Sequence, residues 1–456
     1  MSMHGYRSGA GAILLFACCV CAPDARAAPK PPEPPATEVE SLELQVADLQ
    51  SRLESARQAL RAEAQAATDS AAPAGAASAA DAEKLEAALA EVQSRLERLE
   101  AAVAEQGDTL ASLQELQQQA THVGVYGTLR GDVYEGRSSV LDAESLELIL
   151  SGEPHEGLSF FAEIELERAA AVGSERGGEV VVEQAHTSLS LSRLLNLRAG
   201  VLLVPFGNYN IDHYAPVRDV ISRPLVSQVV APGDWTDNGV EIYGEHSSGA
   251  ATVRWEACVI AGLDARLDAY GTRDARQPFG VDNNGDKAIV GRVSVARLGS
   301  LELGLSGYSG KYDDAGQERL IGWAADGLAR LGPVKLTGEV NRLTAGRAAG
   351  GSAIYAGYNL RATMEVGHLL VPDGVFGAAF PDAEIALVVQ YGRVDVRGPL
   401  DGVIVASAES SLTLGMTCRP SHEWVLKVSR EINRGEGLVL THGGNDAWLG
   451  SIGFVF

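Results

Sequence analysis

The sequence predicts an antiparallel β-barrel that spans a membrane, preceded by an α-helical coiled coil. Three observations carry this. From residue 123 onward, segment after segment alternates apolar and polar residues with a period of two. The connections between segments are by turns short and long. The chain also ends on a strand, 445–456, in which Trp448, Gly450, Ile452, Phe454 and Phe456 form one strongly apolar face.

At the N-terminus, Arg7 precedes an apolar core over 10–20, and Ala25-Arg26-Ala27 has the small-x-small form of a cleavage site, so 1–27 reads as a signal peptide. A lipoprotein box ending at Cys18 is the rival reading, and bulky Phe16 disfavours it. Hydrophobic residues make up 46% of the 456. Even so, no later run reaches the roughly 18 apolar residues of a transmembrane helix. The net charge of -23 leaves no basic cluster for phosphate neutralisation, which excludes nucleic acid as a partner. After cleavage only Cys258 and Cys418 remain, each inside a predicted strand, so neither a disulfide scaffold nor a cysteine metal site is expected.

Residues 28–37 are a stiff Pro-rich linker. Val39, Leu42, Val46, Leu49, Leu53, Ala56 and Leu60 then follow a 3,4 spacing within a coiled coil at 38–66. An Ala/Ser/Pro linker at 67–80 separates it from a second coil at 81–120, marked by Leu85, Leu89, Val92, Leu96, Leu99 and Val103. So narrow an apolar stripe suits self-association better than a helix lying on the barrel.

The barrel occupies 121–456. Sixteen strands are read, near 123–134, 144–152, 157–167, 180–192, 195–204, 237–246, 250–262, 288–298, 300–310, 318–328, 333–343, 354–365, 384–396, 409–418, 422–433 and 447–456. The stretch 366–383 is long where a turn belongs. A hidden strand pair there would make the count eighteen. In the first strand Val123, Val125, Leu129 and Val133 oppose Tyr126, Thr128, Arg130, Asp132 and Tyr134. In the third, Glu163, Glu165 and Glu167 share a face, which is costly against a packed core and natural against water. A barrel of about sixteen strands encloses an aqueous lumen, whereas eight would be filled by side chains. Passage of solutes is therefore the expected role.

The strand 197–204 carries Arg198, Gly200, Pro205, Phe206 and Gly207 in the order R-x-G-x-x-x-x-P-F-G, and Trp235, Asp237 and Gly239 open the next strand as W-x-D-x-G. This resembles the phosphate-selective porin O and P superfamily of bacterial outer membranes. The C-terminal pattern likewise resembles the closing strand of outer-membrane proteins, whose last Phe, here Phe456, is read by the barrel-assembly machinery. The resemblance implies a homotrimeric, water-filled channel in the outer membrane, its long third loop folded inward, with the coiled coil in the periplasm. Lipid and lipopolysaccharide would surround it, and peptidoglycan is a further candidate partner.

By position, 205–236 is that third loop. It holds Asp212, His213, Arg218, Asp219, Arg223 and Asp234, whose charges would set the field in a constriction together with lumen-facing Arg130, Arg198, Glu163 and Glu165. The plainer reading has the loop cap the barrel. Arg254, Arg292, Arg361 and Lys427 on polar faces are matched by Asp132, Glu241, Glu256, Glu302 and Glu339. Without a pure basic ladder, phosphate selectivity does not carry over, and a weakly selective or cation-leaning pore is expected. Asp282, Asn284 and Asp286 have the oxygen spacing of a calcium loop, but Val293 stands where the closing Glu belongs, so a surface turn is read. Scattered histidines and the absence of any catalytic constellation predict neither metal, cofactor nor enzyme. The alternative function is a structural anchor whose coiled coil tethers the membrane to the cell wall.

Overall fold

The computed structural model describes residues 121–456 apart from 137, 169–177, 212, 298, 348–349, 368–379, 381–382, 401 and 438–444, together with residues 94 and 98. The expected signal peptide, both linkers and both coiled-coil segments lie outside the described residues.

Sixteen strands form the sheet: β1 His122–Tyr134, β2 Val140–His155, β3 Leu158–Glu167, β4 Glu179–Ser190, β5 Asn196–Leu203, β6 Thr236–Ser248, β7 Ala251–Ile260 and β8 Ala288–Arg297, then β9 Leu301–Lys311, β10 Arg319–Leu331, β11 Val334–Gly346, β12 Ser352–Glu365, β13 Glu384–Leu400, β14 Val403–Ser421, β15 Trp424–Glu436 and β16 Ala447–Val455. Each pairs antiparallel with its sequence neighbours, and β16 closes on β1 from Tyr126↔Val455 to Tyr134↔Ala447. Closure leaves no strand edge unpaired, the condition for a sheet to cross hydrocarbon. β12 pairs directly with β13, Glu365 opposite Ala386, so the sheet takes no extra strand pair between them and the count is sixteen. The span 397–408, expected as a long connection between the strands read at 384–396 and 409–418, is instead strand over 397–400 and 403–408. β13 and β14 stay paired to Leu400↔Val403, because Val396, Leu400 and Val405 are buried and extend the apolar alternation beyond Pro399.

The period-two faces divide as the sequence implies. Val123 (62% exposed), Ile289 (62%) and Leu360 (58%) look outward, while Tyr126, Thr128, Glu163, Glu339, Asn341, Lys427 and Ser429 are buried within. Trp323, Trp424 and Trp448 are also exposed on the outer face. An exposed apolar surface of this extent fits a lipid contact.

One feature departs from a uniformly polar lumen. Toward the long connections, the inward faces of β8 to β13 carry Val290, Leu320, Leu343, Tyr355, Val394 and Val396. They enclose Leu225, Val226, Val229 and Val230 from the connection after β5, and Leu263, Leu267 and Ala275 from the one after β7. A buried Leu or Val side chain stabilises by about 1.5–3 kcal/mol. This inner core therefore fixes both connections inside one half of the barrel.

Candidate functional site: a charged passage beside the third long connection

The connection 204–235 leaves and re-enters the sheet through a neck built by the R-x-G…P-F-G and W-x-D-x-G residues. Arg198 on β5 donates to Glu241 on β6 at 3.0 Å, and its guanidinium lies over the Tyr243 ring. A Cβ on Gly200 would stand 2.2 Å from the Ala185 carbonyl, so only glycine lets β4 approach there. Phe206 and Trp235 are buried and pack edge to face at 5.8 Å, with Tyr308 against Trp235 at 5.2 Å. The Asp237 carboxylate accepts the Asn238 and Gly262 N–H groups. Gly239 faces the Val259 carbonyl, which a Cβ would meet at 2.6 Å. These motif residues hold the loop's base.

Beyond the neck, the connection is bonded to strands on opposite sides of the barrel. The Gly207 N–H donates to Ser306 on β9 and the Tyr209 N–H to Glu339 on β11, at 3.2 and 2.8 Å. Asp219 accepts from the Thr363 hydroxyl of β12 at 3.0 Å and lies 2.7 Å from the Lys335 ammonium of β11, with Arg419 at 3.6 Å and Arg361 at 3.9 Å. Burial disfavours charge on Asp219, but Arg361, Lys335 and Arg419 outweigh it and hold its pKa below the usual value. Lys427 on β15 donates to the Ala215 carbonyl at 2.6 Å. On the other side, His213 Nε2 sits 3.1 Å from Glu183 on β4 and 3.4 Å from Glu163 on β3. Burial would push this imidazole toward neutrality, yet the two carboxylates raise its pKa to about 10.

Between this connection and the β2–β4 wall lies a cavity of ≈ 270 Å³. Glu144, Glu147, Glu165, Glu167, Glu179 and Glu183 line the wall side. Arg218 and Arg223 from the third connection, and Arg273 and Arg276 from the fourth, 261–287, line the other. Arg223 is paired with Asp234. Burial and then the neighbouring guanidiniums lower the pKa of Arg223 and Arg276, the latter to about 10. Acidic wall facing basic loops is an arrangement that sets a field across whatever passes between them.

Of the residues expected at a constriction, the structure brings together Glu163, Glu165, His213, Arg218 and Arg223. Asp219 lies on the loop's far attachment. Arg130 is engaged by Asp132 at 2.7 Å and Glu144 at 3.3 Å, and Arg198 belongs to the neck. Asp212 lies outside the described residues. On the remaining polar faces, Arg292 clamps Asp326 at 2.6 and 2.8 Å, and Arg254 approaches Glu302 at 3.8 Å. Asp282 is paired with Lys287, and Asp286 with Lys311 at 2.7 Å, as befits a surface turn.

Sequence reasoning missed Glu144, Glu147, Glu179, Glu183, Arg273 and Arg276. Two β-bulges account for Glu144 and Glu183. Where Glu163 opposes Gln184 and Ile164 opposes Val182, Glu183 is the extra residue, and consecutive Glu183 and Gln184 are both buried within. Likewise Thr128 opposes Ser145 and Leu129 opposes Ala143, which leaves Glu144 extra. Strict alternation cannot show such residues. The fourth connection could have been suspected from its apolar Leu263, Leu267 and Ala269, unusual in a solvated loop.

No family model matches the sequence. An uncharacterised protein of Aquifex aeolicus is 29% identical over 202 residues, which cover 43% of this chain and 45% of that protein. The chain thus spans under half the length of this curated relative. Among solved structures, an anion-selective porin from Comamonas acidovorans aligns with a TM-score of 0.51 at 18% identity, covering 74% of this chain and 100% of that one. OmpF of Salmonella typhi, in complex with daunomycin, aligns with a TM-score of 0.50 at 10% identity, over 74% and 98%. At these identities the likeness is one of fold, and it does not single out the O and P superfamily. The chain has the closed sixteen-strand antiparallel barrel seen in outer-membrane porins.

Proposed function

We propose that the protein is an outer-membrane porin, a passive diffusion channel for small hydrophilic solutes or ions, in which 204–235 folds inward and narrows the lumen. The observation that carries this is the attachment of one connection to β3 and β4 on one side and to β11, β12 and β15 on the other, with a charged cavity left beside it. The exposed apolar exterior supports a place in lipid, with lipopolysaccharide as its outer neighbour. His213, Arg218, Arg223, Glu163 and Glu165 are the constriction residues of this reading, joined by Glu147, Glu183, Arg273 and Arg276. Acidic and basic side chains are nearly balanced along the cavity, and the reading is of a weakly selective or cation-leaning pore. The relationship to the O and P porins rests on the neck motif. A homotrimer is the assembly proposed; the heptad spacing of 38–66 and 81–120 supports self-association, and the number three follows the porin resemblance.

Single-channel recording of the detergent-extracted protein in a planar bilayer tests the reading, with reversal potential measured in a salt gradient. Discrete steps with a modest cation preference are expected. Silence from correctly folded protein would overturn the channel and favour a barrel that serves as an anchor.

A further inference from the structure

The contacts of His213 are unusual for a buried ion pair. One ring nitrogen, Nε2, faces two carboxylate oxygens at 3.1 and 3.4 Å. A single N–H cannot be shared well between them. Among the described residues neither ring nitrogen of His213 finds a partner in hydrogen-bond geometry, and Glu183 Oε2 finds none either. The side chains of Glu163, Glu183 and His213 are 0%, 5% and 3% exposed, and they converge beside the cavity.

We propose that Glu163, Glu183 and His213 bind one divalent transition-metal ion, of which zinc is the best fit, and that the ion ties the third connection to the barrel wall. Their donor atoms all lie within 4.8 Å of one another. Bonds of about 2.0–2.2 Å to a common ion would space the donors roughly 3–3.5 Å apart, the spacing of Nε2 from both carboxylates. One imidazole and two carboxylates are a donor set that zinc accepts, with a position left open for water. Glu163 is already oriented for the task. The Tyr126 hydroxyl donates to its Oε1 at 2.9 Å and the Gln184 amide to its Oε2 at 2.8 Å, which leaves that oxygen a second lone pair. Glu183 reaches the site as the extra residue of the β3–β4 bulge. Glu147, buried with its Oε2 unpartnered among the described residues, and Glu165 directly opposite it bring two more carboxyl groups beside the site. A dication offsets this accumulation as a single imidazolium does not. The site stands whether or not the barrel conducts.

The test is metal binding by the full-length, folded protein in detergent after chelator treatment. Calorimetric titration with Zn²⁺ is expected to give one equivalent per chain and to raise the temperature of heat-modification. His213→Gln and Glu183→Gln should each weaken Zn²⁺ binding by about 100-fold or more. The exposed hairpin variant Glu156→Gln should bind like the parent. Absence of stoichiometric binding by the parent protein, or equal binding by His213→Gln, overturns the proposal. If a variant does not fold, Co²⁺ added to the parent decides. An intensified visible band saturating at one equivalent supports the site, and an unchanged aqueous spectrum overturns it.

Discussion

The side-chain amide of Asn210 closes the neck of the third connection onto Trp235: it accepts the Trp235 N–H at 2.7 Å and donates to the Trp235 and Val204 carbonyls at 3.0 and 2.8 Å. A single side chain thus stands in for a missing strand partner where β5 and β6 part. Asn210→Leu has similar volume but none of these bonds. The Trp235 N–H is orphaned at a cost of about 1–3 kcal/mol, while the Trp235 and Val204 carbonyls keep the Val204 and Phe206 N–H groups. The variant should lose several degrees in heat-modification temperature and show noisier single-channel current. Unchanged stability would mean that the loop's inner core, not its neck, holds it in place.

Asp219 gives the second attachment a pH dependence whose sign is fixed. Its pKa is lower in the folded protein than in the unfolded chain, so the stabilisation is present above the unfolded value of about 3.9. It fades as pH falls through the lower folded value. The parent should therefore keep its loop anchored at pH 5 and loosen only under more acidic conditions. Asp219→Asn keeps an oxygen for Thr363 but leaves Lys335, 27% exposed, without its carboxylate, a loss of about 1–3 kcal/mol at neutral pH. The stability gap between parent and variant should close as pH drops below 4. A gap constant from pH 7 to pH 3 would rule out the ion pair as its source.

Gly207 is held at φ +76, and a Cβ there would stand 2.6 Å from the Glu339 carboxylate that receives the Tyr209 N–H. Gly207→Ala therefore incurs about 1–2 kcal/mol of backbone strain and also displaces Glu339. Reduced folding yield and a lower heat-modification temperature are expected. Gly332→Ala, at φ +59 but in an open hairpin turn, carries the backbone strain alone and should cost less.

These residues show what the sequence could and could not reveal. The strands were legible because an apolar outer face and a largely polar inner face give most of them a period of two, and the observed bounds fall within a few residues of those expected for most. Gly200, Gly207, Trp235 and Asp237 were visible as a pattern, but that they build a neck shows only once β4, β5, β6 and β7 are paired. The acidic wall was only half visible. Glu163 and Glu165 follow alternation, whereas Glu144 and Glu183 arise from bulges that break it. The inner core was hidden for another reason. Inward valines on β13 read locally as ordinary strand residues, and nothing in a short window shows that loops from elsewhere cover them.

The most direct probe of the passage exploits its two walls. Arg273 and Glu165 line the same cavity, one from the fourth connection and one from β3. Glu165 opposes Glu147 directly across the β2–β3 pair, and like charges so placed repel. Glu165→Gln should thus fold as well as the parent, which separates an effect on permeation from one on stability. If solutes pass between the walls, Glu165→Gln shifts the reversal potential toward anions, and Arg273→Gln shifts it toward cations. Both shifts should be visible at 0.1 M salt, where the Debye length is about 10 Å, and shrink at 1 M, where it is about 3 Å. Variants that change conductance without moving the reversal potential would place the ion path elsewhere in the barrel.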